Sequence, residues 1–581
     1  MTAEPIATVA ERSSPPDGHD GFPVVDARSL PDAFQKVAAH FGDTVALRAG
    51  DGSVELTWAQ YRDRVERVAG GLAAAGVGRG DTVAMLLTNR PECPLVDTAA
   101  MHLGATPFSI YNTSSPEQID YVLRHAACRV IVTEARFVER VLGVRAGLPG
   151  LEHVVVVDGP VDGTRTLEEL EADAAPGFDF ERAWRAVERD DVATLIYTSG
   201  TTGPPKGVEL THANVLEAYR SIHAAHPLRA GGRFMSWLPM AHLADRIVSH
   251  YPSLLYGGTI TCVADGRQAP AALPAVRPTL FLAVPRVWEK LRAALEPALR
   301  QAGDEGRAAF TAGAATKLGL DDADLILSGA APIAPQILEF FAQIGVPIYE
   351  VYGMSETTAV GTIAPRGQQR SGSVGKAYPG TEVDLAADGE ILLRGPNIMR
   401  GYRNDPAKTA EAIDADGWMH TGDIGEIDKD GFVRVVDRKK ELIINAAGKN
   451  MSPANIENAM KAACPLIGSI AVIGDQRPYN TALITLDPDT IAALATARGI
   501  EVSAPTELAV HAEVQAAVAD GIAHGNARLS NVEQVKRHRI LPVFWEPGGD
   551  ELTPTMKLKR KTIAEKYADV IEGMYAETAR L

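Results

Sequence analysis

Helix-like and strand-like stretches alternate along most of this chain, and that alternation limits the folds open to it. The period of PDAFQKVAAHFG (residues 31–42) is helical, and TVALRAG (44–50) is strand-like. Residues 58–76 are a long amphipathic stretch, TVAMLLT (82–88) an apolar run, residues 92–103 again helical, and ATPFSIY (105–111) extended. Strands separated by helices in this way build mostly parallel sheets covered by helices. The pattern holds to about residue 360. After residue 375 short alternating segments, GEILLRG, GEIDKDGFVRVV and KELIINA, are parted by Gly and Asp turns and read as antiparallel β structure. Beyond Ser452 a helix over NIENAMKAA, with Pro453 in its first turn, is followed by strands at AVIGD and TALITLDP and by a mainly helical stretch over 506–528. The expected class is α/β, ending in a small α+β unit. No repeat is seen at solenoid periods.

Composition removes other readings. The formal net charge is -17, with 57 Lys+Arg against 74 Asp+Glu. A nucleic-acid partner is not expected of so acidic a chain. Cys93, Cys128, Cys262 and Cys464 lie far apart without metal spacing, and are expected to be buried thiols in a reducing compartment. The first residues carry Pro and acids where a secretion signal needs an apolar run, and no stretch is long and apolar enough to span a bilayer. A cytoplasmic location is the expectation, with peripheral membrane contact left open.

The stretch richest in chemistry is Tyr197-Thr-Ser-Gly-Thr-Thr-Gly-Pro-Pro-Lys-Gly207, directly after the apolar run VATLI. Small and hydroxylated residues supply many N–H and O–H donors that can converge on phosphate, and Lys206 adds a cation. It is not the nucleotide loop of ATPases, because Lys206 is followed by Gly207 where that pattern needs Ser or Thr.

YTSGTTGPPKGVELTH resembles the signature of the adenylate-forming acid:CoA ligases. Further matches follow in that family's order: Ser328-Gly-Ala-Ala-Pro332, Tyr352-Gly-Met-Ser-Glu-Thr357, Gly417-Trp-Met-His-Thr-Gly-Asp423, Asp437-Arg-Lys-Lys-Glu-Leu-Ile443 and Gly448-Lys-Asn450. Leu238-Pro-Met-Ala-His-Leu-Ala-Asp-Arg246 is similar to the long-chain fatty acyl-CoA ligase branch. Residues 1–25, polar and with Pro and Gly, read as a loose arm, and the resemblance implies a large domain of layered α/β subdomains with a small β-barrel-like subdomain over 26–437 and a mobile cap over 438–581. The hinge falls around 437–440. It also implies ATP as its magnesium complex, Mg²⁺, coenzyme A as co-substrate, and a medium- to long-chain fatty acid activated through an acyl-adenylate. AMP and pyrophosphate are released.

Residue by residue, the resemblance places Thr198, Ser199, Gly200, Thr201, Thr202, Gly203 and Lys206 around the β- and γ-phosphates. Glu356 is the expected magnesium ligand, with the hydroxyl of Thr198 or Thr201 beside it. Thr357 is assigned to the α-phosphate, Tyr352 and Gly353 to the adenine side with Gly329, Ala330 and Ala331, and Asp423 and Arg438 to the ribose. Lys557 is the expected catalytic lysine, although the family pattern has Gly where Met556 stands, which leaves Lys559 and Lys561 as alternatives. Lys440 is the expected pivot, and Gly448 and Lys449 are assigned to coenzyme A. His242 is placed beside the acyl carboxylate, with Gly257, Gly258 and the segment near Tyr349 as neighbours of the acyl chain. A fatty acyl-AMP ligase serving a carrier protein, a ligase for another carboxylic acid, and a non-catalytic nucleotide-binding scaffold stay open, as do acyl length and the choice between monomer and homodimer.

Overall fold

A computed structural model describes residues 21–174, 177–198, 204–446, 449–501, 504–553 and 555–576. Apolar four- and five-residue runs become strands because burial on both faces leaves no room for polar side chains. Thr82–Leu86, Thr106–Ser109, Val130–Thr133 and His153–Val156 are such runs, and all pair in parallel. Their spatial order is 106–109, 82–86, 130–133, 153–156, then Arg165–Thr166. A second, nine-stranded sheet carries a parallel block in the order Thr259–Cys262, Arg233–Ser236, Leu280–Ala283, Leu325–Ser328, Tyr349–Tyr352. Among the strands named in each block the earliest in the chain lies between the next two, so the winding reverses beside it. The two blocks share this topology although no repeat is legible in their residues. In open parallel sheets ligands gather beyond the carboxyl ends of strands at such a reversal.

The helices between strands start where the sequence caps them. Thr57 with Gln60 and Ser115 with Gln118 form reciprocal capping boxes for Trp58–Ala74 and Pro116–Ala126. Phe22 packs on Phe41, and the Val24 amide donates to the Leu255 carbonyl at 3.0 Å, so the packed chain begins inside the segment expected to be a loose arm. Gly257 and Gly258 are packing positions. A Cβ on Gly257 would lie 2.1 Å from the Phe41 ring, and one on Gly258 2.3 Å from the Gly232 carbonyl oxygen. All four cysteines are buried and free.

Two antiparallel sheets follow a different logic. Val192–Thr198 and Lys206–Thr211 form a hairpin with Gly401–Tyr402 on its outer edge, so the phosphate-loop motif joins two antiparallel strands. The β unit expected after residue 375 is a four-stranded sheet, Glu382–Leu385, Glu390–Arg394, Met419–Ile427 and Val433–Arg438. Residues from Ile443 onward build their own cores around Ile467–Ile473, Asn480–Leu486 and Val535–Ile540, covered by the helices Pro453–Ala463 and Ala512–Asn526.

Contacts among the described residues tie this C-terminal unit to the rest. Asp437 accepts from the Ser452 hydroxyl at 2.5 Å and the Ala454 amide at 3.1 Å, joining the last strand before the hinge to the first helix after it. Arg286 pairs with Asp487, and Lys290 with Asp489 at 2.6 Å. Gly548 comes close against Thr113.

Three histidines of the large unit are buried and neutral. His102 uses Nδ1 against the Thr98 carbonyl and Nε2 against Gln35, and burial pushes it down to about 4. His226 falls to about 4 and His212 to about 3 for the same first cause. Below the ordinary histidine value of about 6.5 the unfolded chain takes up protons that the folded one refuses, so stability falls as pH drops from there toward 4. We predict a lower melting temperature at pH 5 than at pH 7, and a smaller drop in His102→Gln; an equal drop in that variant contradicts the assignment.

Candidate active site

The cleft lies where the second sheet predicts it, beyond the carboxyl ends of its parallel strands. After Leu325–Ser328 the chain turns through Gly329, Ala330 and Ala331, with Ala330 at φ 67 and its neighbours 331 and 332 exposed. After Tyr349–Tyr352 it turns at Gly353, where a Cβ would lie 2.5 Å from the Ala359 carbonyl oxygen. Only glycine fits there. Ser355–Thr357 then forms one 3₁₀ turn that carries Glu356. The Thr357 hydroxyl bridges the Met354 amide and carbonyl at 3.1 and 3.2 Å, which closes the turn.

Asp423 holds the centre. It is buried, accepts from the Tyr352 hydroxyl at 2.7 Å, and pairs with Arg438 Nε at 2.8 Å. Asp423 and Arg438 are partners across the ladder of adjacent strands, which aligns them. Burial raises the Asp423 carboxyl, and Arg438 works against that. Tyr352 is pushed far up by burial and then by Asp423, so it is a donor throughout the physiological range.

On the phosphate side Thr198 sits opposite Lys206 in the hairpin ladder; Ser199, Gly200, Thr201, Thr202 and Gly203 lie outside the described residues. The Lys206 ammonium stands 4.0 Å from the centre of the Tyr402 ring, and the Tyr402 hydroxyl donates to Glu356 Oε1 at 2.9 Å. Tyr402 thus joins the phosphate lysine to the buried acid. Sequence reading missed it; the only signal is a Gly-Tyr pair whose partner strand is the motif's own. Lost solvation lowers the Lys206 pKa, and Glu356 opposes that. Among the described residues no three His, Cys, Asp or Glu side chains form a metal cluster. A single carboxylate, whose second oxygen takes no hydrogen bond among the described residues, suits a magnesium held mainly by nucleotide and water.

The C-terminal unit brings Lys557 to this cleft. The chain folds back as a hairpin, with Lys559 N–H on the Glu551 carbonyl and Thr553 N–H on the Lys557 carbonyl, both at 2.8 Å. Lys557 faces Arg438, Asp423 and Glu356; solvent reaches it, yet lost solvation and then Arg438 lower its pKa. Lys559 spends its ammonium on the Gly549 carbonyl, and Lys561 lies beside Glu565. Met556 stands at φ 66, the left-handed conformation that the hairpin turn requires and that glycine adopts without strain.

His242 is half-buried at the end of the segment leaving Arg233–Ser236. Its Nδ1 accepts the Ala244 amide at 3.0 Å, which puts the ring proton on Nε2. Burial, and then the charge of Lys557, push it to about 4. It is therefore a neutral donor, not a base.

The hinge residues divide their allegiance. Lys439 pairs with Asp388 and Glu390 of the four-stranded sheet, while Glu441 accepts from Arg560 of the C-terminal unit. Lys440 between them is exposed, and its side chain forms no hydrogen bond or ion pair among the described residues. Lys449 occupies the turn between Ile443–Ile444 and Asn450–Met451, away from these partners, and Gly448 lies outside the described residues.

The fold is a large α/β unit with a smaller C-terminal unit set against its candidate site, and family comparison identifies it as an enzyme. Residues 34–403 match the AMP-binding enzyme family and residues 440–579 its AMP-binding enzyme C-terminal domain. The chain belongs to this family. It is 51% identical over 456 residues to the putative fatty-acid–CoA ligase fadD11 of Mycobacterium tuberculosis, covering 72% of this chain and 80% of that protein. It is 34% identical over 560 residues to the long-chain-fatty-acid–CoA ligase FadD15 of Mycobacterium tuberculosis, covering 90% and 92%. Among solved structures, the anthranilate CoA ligase AuaEII with anthranoyl-AMP has a TM-score of 0.74 at 21% identity, covering 93% of this chain and 97% of that one. The latter likeness shows the shared fold.

Because Met556 holds a glycine conformation, Met556→Gly should raise stability by up to about 1 kcal/mol in denaturant unfolding. A destabilised variant contradicts the strain assigned to this turn.

Proposed function

We propose that the protein activates a fatty acid with ATP and transfers it to coenzyme A, in two chemical steps at one cleft. The observation that carries the reading is the delivery of Lys557 by the C-terminal unit into a cleft already lined by Asp423, Arg438 and Glu356. The likeness to fatty-acid–CoA ligases over most of the chain supports the substrate class.

A carboxylate must first attack the α-phosphate of ATP, which brings an anion to a polyanion. Stabilisation has to come from groups placed before the reaction starts. Asp423 offers its carboxylate oxygens to the ribose hydroxyls, with Arg438 holding it in place. Tyr352 and residues 329–331 flank the base. Lys206 meets the outer phosphates, and Glu356, expected to be joined by Thr198 or Thr201, would hold a magnesium ion whose charge would screen them. His242 presents Nε2–H to the acyl carboxylate, and Lys557 bridges that carboxylate and the α-phosphate as charge develops. Pyrophosphate leaves with the oxygen of the broken P–O bond.

The thiol of coenzyme A then attacks the acyl carbonyl and expels AMP. Lys557 occupies the approach in the arrangement described, so the small unit must turn. Lys439 stays with the large unit and Glu441 with the small one, which makes Lys440 the pivot of a hinge motion. Turning would bring the hairpin around Gly448 and Lys449 to the cleft for the pantetheine arm and the phosphates of coenzyme A. No helix among the described residues is long and apolar enough to cross a membrane.

Purified protein given Mg-ATP, fatty acid and coenzyme A should release pyrophosphate and form acyl-CoA. Acyl-AMP that accumulates without acyl-CoA would instead favour a carrier-protein acceptor, and no pyrophosphate with fatty acids of any length would sink the substrate class. Lys557→Ala should slow pyrophosphate formation by about 10²–10³-fold, as loss of one charge-stabilising group does. Transfer from supplied acyl-AMP should be nearly unaffected; equal loss in both steps contradicts the role.

A further inference from the structure

Three fully buried ionised side chains stand behind the cleft, and the chemistry above uses none of them. Asp97 lies in the helix Glu92–His102, and Asp245 and Arg246 lie just after His242. Burying charge is costly unless each group is paired or fully hydrogen-bonded. Here each is. Arg246 Nη1 meets Asp97 at 2.5 Å and Nη2 reaches the Ser109 hydroxyl at 3.3 Å. His250 Nε2 lies 3.0 Å from the other Asp97 oxygen. Arg246 and His250 open and close a π-helical turn, Arg246–His250, a rare conformation that recurs at functional sites. Asp245 has no cation; it accepts the amides of Trp237 and Leu238, both at 3.0 Å, and the hydroxyls of Ser236 and Ser249.

Four bonds from this cluster and its neighbour Asn89 end on one segment, residues 237–242. Asp245 holds its first two amides. Arg246 Nε donates to the Met240 carbonyl at 3.2 Å, and Asn89 donates to the Leu238 carbonyl at 2.7 Å. The segment ends at His242, whose own amide turns back to the Pro239 carbonyl at 2.8 Å. Asn89, Asp97 and Ser109 belong to the first parallel block, whereas Asp245, Arg246 and His250 belong to the second. The charges therefore fix residues 237–242 against both halves of the large unit.

We propose that Asp97, Asp245 and Arg246 are positioning residues that set His242 for the fatty acid carboxylate. The inference rests on the reading of His242 given under the proposed function. A ring displaced by an ångström loses its aim at the carboxylate, and misplacement of that size costs up to about 10²-fold in rate. ATP is held by other elements, so the loss should fall on the acid.

The test is a double-mutant cycle between Asp245→Ala and His242→Ala, read by pyrophosphate formation with kcat and the KM of each substrate. Asp245→Ala should lower kcat/KM for the fatty acid by about tenfold or more while leaving the KM for ATP nearly unchanged, and should add little to His242→Ala. Asp245→Asn, which keeps an acceptor for both amides, should recover most of the loss. Arg246→Lys keeps a charge opposite Asp97 but gives up the bond to the Met240 carbonyl, and should reproduce the acid-selective loss should Asp245→Ala fail to fold. Losses that multiply in the double variant, or that fall equally on ATP, overturn the positioning role. A silent His242→Ala overturns the reading of His242 and the inference with it.

Discussion

A carboxylate in a cleft must replace the water it gives up, and Asp423 does so from three directions. Tyr352 reaches it from the end of a parallel strand, Arg438 from the neighbouring antiparallel strand, and Lys557 adds its charge from the C-terminal unit. Each contributor comes from a different part of the fold, so the cleft exists only when these parts stand in register. The hydrogen-bonded ladder between Met419–Ile427 and Val433–Arg438 aligns Arg438 with Asp423 just before residue 439, and Tyr352 meets them from the parallel sheet. The third is carried in by a unit with its own core.

The charge distribution fits this arrangement. Nearly all the negative excess lies before residue 437, yet the proposed substrates are anions. The overall field of such a protein repels them, and binding depends on cations placed locally. Lys206 is fixed by its hairpin and Tyr402, Arg438 by Asp423, and Lys557 by its own turn. Of these, Lys557 belongs to the unit that leaves under the proposed alternation, which would let one cleft serve an anionic attack first and a thiol attack later.

Much of this was legible in the residues, for a physical reason. Site residues follow the carboxyl ends of strands, so short local motifs such as SGAAP and YGMSET already carry their surroundings with them. The α/β alternation and the later antiparallel texture were also local signals. What could not be read was set by distant pairing. Asp97 and Arg246 are 149 positions apart, and nothing near either announces a buried ion pair. Tyr402 needed its place beside the phosphate hairpin. The shared winding of the two parallel blocks shows in strand order alone. At Gly257 and Gly258 close packing against Phe41 and Gly232 demands the same residue that a ligand's approach does, so glycine alone does not mark a lining position. At Met556 the missing glycine argued against Lys557, whereas the backbone adopts the glycine conformation regardless.

Domain alternation is the central claim, and the ion pair of Lys290 with Asp489 gives direct access to it. Both side chains are exposed, on opposite sides of the junction, and the four native cysteines are buried. Cysteines introduced at the two positions can be joined by a short bismaleimide in the arrangement described. The linked enzyme should still form pyrophosphate from ATP and fatty acid but should fail to make acyl-CoA. Acyl-CoA formed by the linked enzyme at the rate of the unlinked one would contradict the alternation.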